Sequence, residues 1–412
     1  MKEFYKSNRK NIINSMGDNS VLIQFSGKAP KKSADGLYPY TPNRNFYYMT
    51  GIDEENIIFV IIKTYDKSEE FLFIPKRDEL LAKWVGETIT ENEAKDKSGI
   101  ENILNTEDFN PKINEIIKSK NISSLFLDLE RESFESSLSY EEIFAKNLKE
   151  KYPEINIKNI HDSISNLRVV KDEKEVSIIE EAISITDKAI LNLIKNAKPG
   201  MMEYEMEAYF NFTLKSNGIK DFAFDTICAS GINGTVLHYV ANDSKAKDGD
   251  LVLLDLGAMH KYYSADISRT FPVNGKFSER QKDVYNLVLK AQLAVIEMLK
   301  PGVTFPEINS LVHKIYAEGL KDLGVIKNDN EVSKYYFHNT SHYLGLDTHD
   351  VGSRDIALEK GMVITVEPGL YIPEEEIGIR IEDNILITED GCRNLSKNII
   401  KTVDEIENFM KK

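Results

Sequence analysis

The second half of this chain is written twice. Residues 189–219 read AILNLIKNAKPGMMEYEMEAYFNFTLKSNGI, and residues 294–326 read AVIEMLKPGVTFPEINSLVHKIYAEGLKDLGVI. Each copy predicts a helix that stops at Lys-Pro-Gly, then a second amphipathic helix with apolar residues three and four apart, then a glycine stop. Proline cannot continue a helix and glycine relaxes the turn, so the break falls at the same place in both. A β segment follows each pair: GDLVLLDLGAMHKYYSADISRT from 249 and KGMVITVEPGLYIPEEEIGIRIEDN from 360. Each has a Val/Ile/Leu strand ending in an acid, then a return strand with a second acid. A period of about a hundred residues is too long for a solenoid and predicts a duplicated half-domain. Two halves related by a pseudo-twofold bring their corresponding acids together at the centre.

The 412 residues exceed what one hydrophobic core serves, so a second domain is expected upstream of the repeat. SVLIQF (20–25), NIIFVIIK (56–63), EFLFIP (70–75) and SLFLDL (124–129) are short apolar runs rich in β formers, with helical patterns at 77–84 and 140–151 between them. The polar segment near 160–172, with a helix cap at Asp162 or Ser163, marks the boundary. The expected organisation is an α+β protein: an N-terminal α/β domain over 1–160 and the duplicated domain over 161–412.

The repeat aligns Asp255 with Glu367, and Asp266 roughly with Glu382. Each acid is set among Leu, Ile and Val, where an isolated carboxylate costs several kcal/mol to keep ionised. Any one of them reads as a buried ion pair or a strand-end residue facing water. Four placed by an internal repeat read better as ligands of divalent cations. Three of the seven histidines crowd into HNTSHYLGLDTHD at 338–350, just before a carboxylate strand. One imidazole among four carboxylates makes a hard site that favours manganese, with cobalt, iron or zinc as other occupants. Two such cations, roughly 3.5–4 Å apart, generate a bridging hydroxide at neutral pH that attacks a carbonyl. No Gly-x-Ser-x-Gly, His-Glu-x-x-His or P-loop motif offers a rival chemistry. His161, His260 and His313 read as ordinary surface or packing residues.

Charge and cysteines exclude other classes. Lys plus Arg number 52 against 67 Asp plus Glu, a net −15, which argues against a nucleic acid or anionic membrane as partner. Two cysteines in unrelated contexts exclude a disulfide framework or zinc–thiolate centre. The first residues lack the apolar core of a signal peptide, and no run approaches the ~20 apolar residues of a membrane span. The expected setting is the cytoplasm.

With these residues in hand, the chain resembles the pita-bread metallopeptidases, which include aminopeptidase P, prolidase and methionine aminopeptidase. DLGAMHKYYSADISRTFPV resembles the family's two aspartate ligands, Asp255 and Asp266. HNTSHYLGLDTHD resembles its histidine segment, with His342 as the ligand, and TVEPGLY and IRIEDN resemble its glutamate segments, with Glu367 and Glu382. Creatine-hydrolysing relatives lack this metal set. LYPYTPNRNFYYMTG at 37–51 is similar to the entry of the N-terminal domain of the aminopeptidase P and prolidase branches. The resemblance implies a homodimer or higher homo-oligomer that hydrolyses the Xaa-Pro bond of peptides with proline second. It implies Glu367 as general base, His349 as a hydrogen-bond donor to the reacting group, and His238, His338 and Arg380 as substrate-side residues. Arg380 is expected to pair with Glu382 or Asp383 if its role is structural. Trp84 is either a packing residue or one that closes a neighbouring subunit's site. A prolidase confined to dipeptides, or a metal-free binding protein on this fold, are the alternatives.

Overall fold

The computed structural model describes residues 1–131 and 133–411, which form two compact units, Met1–Arg168 and Val169–Lys412. The first is built on a six-stranded mixed sheet. Its central strand, Ser20–Phe25, is buried along its whole length, because it pairs antiparallel with Ile58–Lys63 on one side and parallel with Ser124–Leu127 on the other. Val21, Ile23 and Phe25 meet Phe109, Ile113 and Ile116 of helix Phe109–Ser119, so one sheet face and one helix stripe share a core. Helix Glu79–Val85 buries none of its residues, and Trp84 on it is 83% exposed, so Trp84 packs no core of this unit.

The second unit realises the repeat. Helices Glu173–Asn196 and Glu203–Ser216 pack as one pair, Glu279–Met298 and Phe305–Asp322 as the other. Asp172 with Glu175, and Thr304 with Glu307, form capping boxes that satisfy the first amides of a helix in each pair. Gly200 and Gly302, in the two Lys-Pro-Gly turns, have φ of 89° and 97°, a left-handed backbone that glycine adopts without strain.

Each helix pair is followed by a three-stranded sheet. In the first copy Leu251–Leu256 lies between Ile227–Ser230 and Ile267–Pro272; in the second Asp383–Ile387 lies between Val363–Val366 and Cys392–Asn394. All pairings are antiparallel, with Asp255 opposite Ser268 and Val366 opposite Asp383. The sheets meet at a seam: Glu382 N–H donates to the Ser268 carbonyl at 3.0 Å, and Asn384 Nδ2 donates to the Asp266 carbonyl at 2.6 Å. Asp266 N–H returns a bond to Asn384 Oδ1. The seam therefore holds the return-strand acids of both copies within one hydrogen bond of each other's strand. Among the described residues no helix is long and apolar enough to cross a membrane.

Candidate metal centre

The chain places its acids by strand ends. Asp255 is the penultimate residue of Leu251–Leu256, and Asp266 immediately precedes Ile267–Pro272. Glu367 follows Val363–Val366, and Glu382 precedes Asp383–Ile387. His342 arrives from the segment beside Val363–Val366: Thr365 N–H donates to the His342 carbonyl, and Glu367 N–H donates to the Thr340 carbonyl. The five residues sequence reasoning chose as ligands line one cavity of about 400 Å³, together with His238, His338, His349 and Arg380. Asp266, His342 and Glu382 each offer a ligand atom within 4.8 Å of the others.

Hydrogen bonding in the cluster is incomplete in a telling way. Asp255 Oδ2 accepts from Arg380 Nη2 at 2.8 Å, and Glu382 Oε2 accepts from Ser268 Oγ at 2.8 Å. Asp255 Oδ1 and Glu382 Oε1 are buried with no hydrogen-bond partner. His342 Nδ1 donates to the Tyr343 carbonyl at 2.9 Å, because a carbonyl can only accept. In the neutral ring that a metal ligand requires, the remaining nitrogen, Nε2, carries a lone pair, and it faces Asp266 Oδ2 at 3.3 Å and Glu367 Oε1 at 3.4 Å. Lone pairs converging on lone pairs repel, and burial costs each ionised acid its hydration. Burial first, then the neighbouring carboxylates, pushes Asp266 and Glu382 well above the usual carboxylate range; burial raises Glu367 too, against the pull of His342 and Arg380. A divalent cation among these atoms reverses every one of these costs, and an oxygen-rich set with one imidazole suits a hard or borderline ion. The donor set therefore fits a metal.

Behind the acids runs a chain of side chains. Arg380, 1% exposed, reaches Asp255 with Nη2, Ser268 Oγ with Nε at 2.8 Å and Tyr371 Oη with Nη1 at 2.9 Å. Arg380 does not pair with Glu382 or Asp383, the structural partners expected for it. Asp383 is held by Arg269 at 2.8 Å and by Lys401. Tyr371 Oη also donates to His338 Nε2 at 2.9 Å, while His338 Nδ1 donates to the Asn339 carbonyl at 2.8 Å. Both nitrogens of His338 are engaged as in a neutral ring, and burial, with Arg380 nearby, draws its pKa down to about 4. His349 crosses the His342 ring edge-on, with centroids 4.4 Å apart. Burial and His342 lower its pKa, which favours the neutral ring.

Sequence reasoning missed Ser268 and Tyr371. Ser268 sits two residues after Asp266, on the strand register that faces Asp255. Its position was readable from the alternation of the strand, whereas Tyr371 joins the site through Arg380 on the facing strand of its hairpin and through His338, 33 residues upstream. His260, read as ordinary, lies within 2.8 Å of Glu181, away from the acids.

Residues 177–389 match metallopeptidase family M24, and residues 5–126 match the aminopeptidase P N-terminal domain. The chain is 35% identical to a Haemophilus influenzae Xaa-Pro aminopeptidase, over 99% of this chain and 97% of that one. Among solved structures, Escherichia coli aminopeptidase P with the inhibitor Pro-Leu superposes with a TM-score of 0.92 at 31% identity, covering 100% of this chain and 98% of that one. A Bacillus anthracis protein superposes with a TM-score of 0.98 at 52% identity, covering 99% and 98%. With an M24 half that contains the acid cluster and an aminopeptidase P N-terminal half, the chain belongs to metallopeptidase family M24, in its aminopeptidase P branch, and is a metal-dependent hydrolase.

Proposed function

We propose that this chain releases the first residue of peptides whose second residue is proline, and that Asp255, Asp266, His342, Glu367 and Glu382 hold two divalent cations, manganese foremost, for that purpose. The observation that carries the metal reading is the convergence of His342 Nε2 with Asp266 Oδ2 and Glu367 Oε1 in a cavity where Asp255 Oδ1 and Glu382 Oε1 are buried without a donor. The names of the near-full-length relatives support the substrate class. When bound, the cations supply a hydroxide nucleophile at neutral pH and a Lewis acid for the scissile carbonyl.

The chain's own residues do the rest. Glu367, beside the cavity, takes the proton as general base. His349, neutral and lining the cavity, donates a hydrogen bond to the carbonyl oxygen as charge develops there. His238 lines the same cavity and steadies the peptide. Arg380 fixes the orientation of Asp255, and His338 forms part of the wall and holds Arg380 through Tyr371. The acid-lined end attracts a free α-amine, which confines cleavage to the first residue. A proline amide lacks an N–H and has a fixed φ, so a shaped wall selects it.

Under the same proposal, the protein is cytoplasmic and a homodimer or higher homo-oligomer. Free Cys228 and Cys392 suit a reducing compartment, and the exposed Leu80, Leu81, Trp84 and Val85 suit burial against another copy. Turnover of Xaa-Pro-Yaa peptides beside Xaa-Pro dipeptides, with metal content measured on the same preparation, tests this reading. Hydrolysis of tripeptides and longer is expected, and turnover of dipeptides alone would assign a prolidase instead.

A further inference from the structure

Glu203 is a buried carboxylate far from the acid cluster in sequence, and it is fully satisfied. It opens helix Glu203–Ser216 and is 0% exposed. Its Oε1 accepts from Ser230 N–H at 2.6 Å, Ser230 Oγ at 2.7 Å and Asn233 Nδ2 at 3.0 Å. Its Oε2 accepts from Tyr239 Oη at 2.8 Å and Ser244 N–H at 2.9 Å. Five donors on one carboxylate demand a group that only accepts, which an amide cannot supply. Burial alone would raise its pKa, but the bonds from Asn233, Ser230 and Ser244 outweigh that and hold it below the usual range. None of the five donors is cationic.

All five donors come from one stretch of chain. Ser230 ends strand Ile227–Ser230, Asn233 is in the short 3₁₀ turn Gly231–Thr235, and Ser244 closes the irregular segment after it. That segment contributes Leu237, His238 and Val240 to the wall of the metal cavity. His238 is solvent-exposed and adjoins Tyr239, whose hydroxyl is fixed by Glu203 and by Asn233 Nδ2 at 3.0 Å. The start, middle and end of the loop are thus tied to one buried anion, and between Tyr239 and Ser244 only Asn242 is buried and adds another anchor, through Thr226 and Cys228.

We infer that Glu203 is a positioning residue for substrate: it holds the 230–244 loop so that His238 and its neighbours meet the peptide in one fixed place. It touches neither substrate nor metal. The inference rests on the proposed role of His238 at the peptide.

The test is a double-mutant cycle of Glu203→Gln and His238→Ala, reading kcat, KM and bound metal on an Xaa-Pro-Yaa peptide. Glu203→Gln is expected to lower kcat/KM on the order of tenfold through the same parameter that His238→Ala changes, with metal content unaltered. In the His238→Ala background the same substitution is expected to have little further effect. Tyr239→Phe, which removes one donor and keeps the ring, should show a weaker form of the pattern and guards against a Glu203→Gln protein that does not fold. Full additivity of the two substitutions, loss of metal in Glu203→Gln, or a folded Tyr239→Phe with unchanged kcat/KM would overturn the assignment. If His238→Ala itself leaves kcat/KM unchanged, the reading of His238 fails, and the positioning role fails with it. If only the Glu203 and Tyr239 variants are silent, the positioning role alone fails.

Discussion

Arg380 Nη2 lies 2.8 Å from Asp255 Oδ2, and the other oxygen of that aspartate has no hydrogen-bond partner. One residue thus orients the carboxylate while leaving a lone pair directed at the cavity. The same guanidinium is tied to Ser268 and Tyr371, so its own rotamer is fixed from two further sides.

Removing this support should therefore act on the metal through Asp255. Arg380→Ala is expected to cost about 10–100-fold in metal affinity or in kcat/KM, the usual range for a residue that orients a ligand. Arg380→Lys keeps the charge but loses the fork and should fall between the two. Titration of metal-free variants with manganese, alongside kcat/KM, reads both effects.

His342 and His349 should fail differently. His342→Ala removes a nitrogen that faces two carboxylates, so metal content and activity should fall together. His349→Ala should keep near-normal metal and lose on the order of 10²-fold in kcat, as polar stabilisers of developing charge do. His313, exposed on helix Phe305–Asp322, is the control and should change neither. Metal analysis of the three variants beside kcat decides it, and equal metal loss at His342 and His349 would contradict the division.

Stability should depend on Glu175. Its Oε1 accepts from Tyr263 Oη at 2.8 Å and its Oε2 from Asp172 N–H at 2.9 Å, but burial dominates and raises its pKa from 4.5 to about 7. Between these values the folded chain binds more protons than the unfolded one, so the contribution weakens as pH rises from about 4.5 through 7 and is flat above. The loss attributable to this group is about 3 kcal/mol at most. Urea midpoints of the natural chain and of Glu175→Gln at pH 5 and pH 8 give the difference, and the variant should show the shallower fall.

Gly378 is where the 230–244 loop presses on strand Ile377–Arg380. A Cβ there would stand 1.9 Å from the Gly234 carbonyl oxygen, and backbone cannot rotate away. Gly378→Ala is expected to destabilise the unit by about 1–3 kcal/mol or more and to lower kcat/KM by displacing the loop. Thermal unfolding with kinetics at a permissive temperature checks both.

The acids were legible because a repeat writes them at corresponding strand ends and because strand-end acids among aliphatic residues are expensive without a partner, whereas His342 was legible from the histidine-rich segment 338–350 and its resemblance to the family's histidine segment. The helix pairs were legible from their spacing and their Lys-Pro-Gly breaks. A purely structural Arg380 would be expected to pair with Glu382 or Asp383, its neighbours along the chain, whereas its guanidinium reaches Asp255 on a strand of the other copy and Asp383 goes to Arg269. Glu203 was invisible for another reason. An acid in the first turn of an amphipathic helix is the ordinary complement to the helix dipole, and nothing local distinguishes one that serves five donors of a distant loop. Trp84 could be read as a core residue, but its helix buries nothing.

The central claim is that this cavity works through metal. Complete chelation of the purified protein, followed by assay of an Xaa-Pro-Yaa peptide before and after manganese is restored, tests it most directly. The expected result is loss of hydrolysis on chelation, recovery on adding manganese back to the natural chain, and no recovery in Asp266→Ala or Glu382→Ala. Undiminished hydrolysis by the metal-free protein would contradict it.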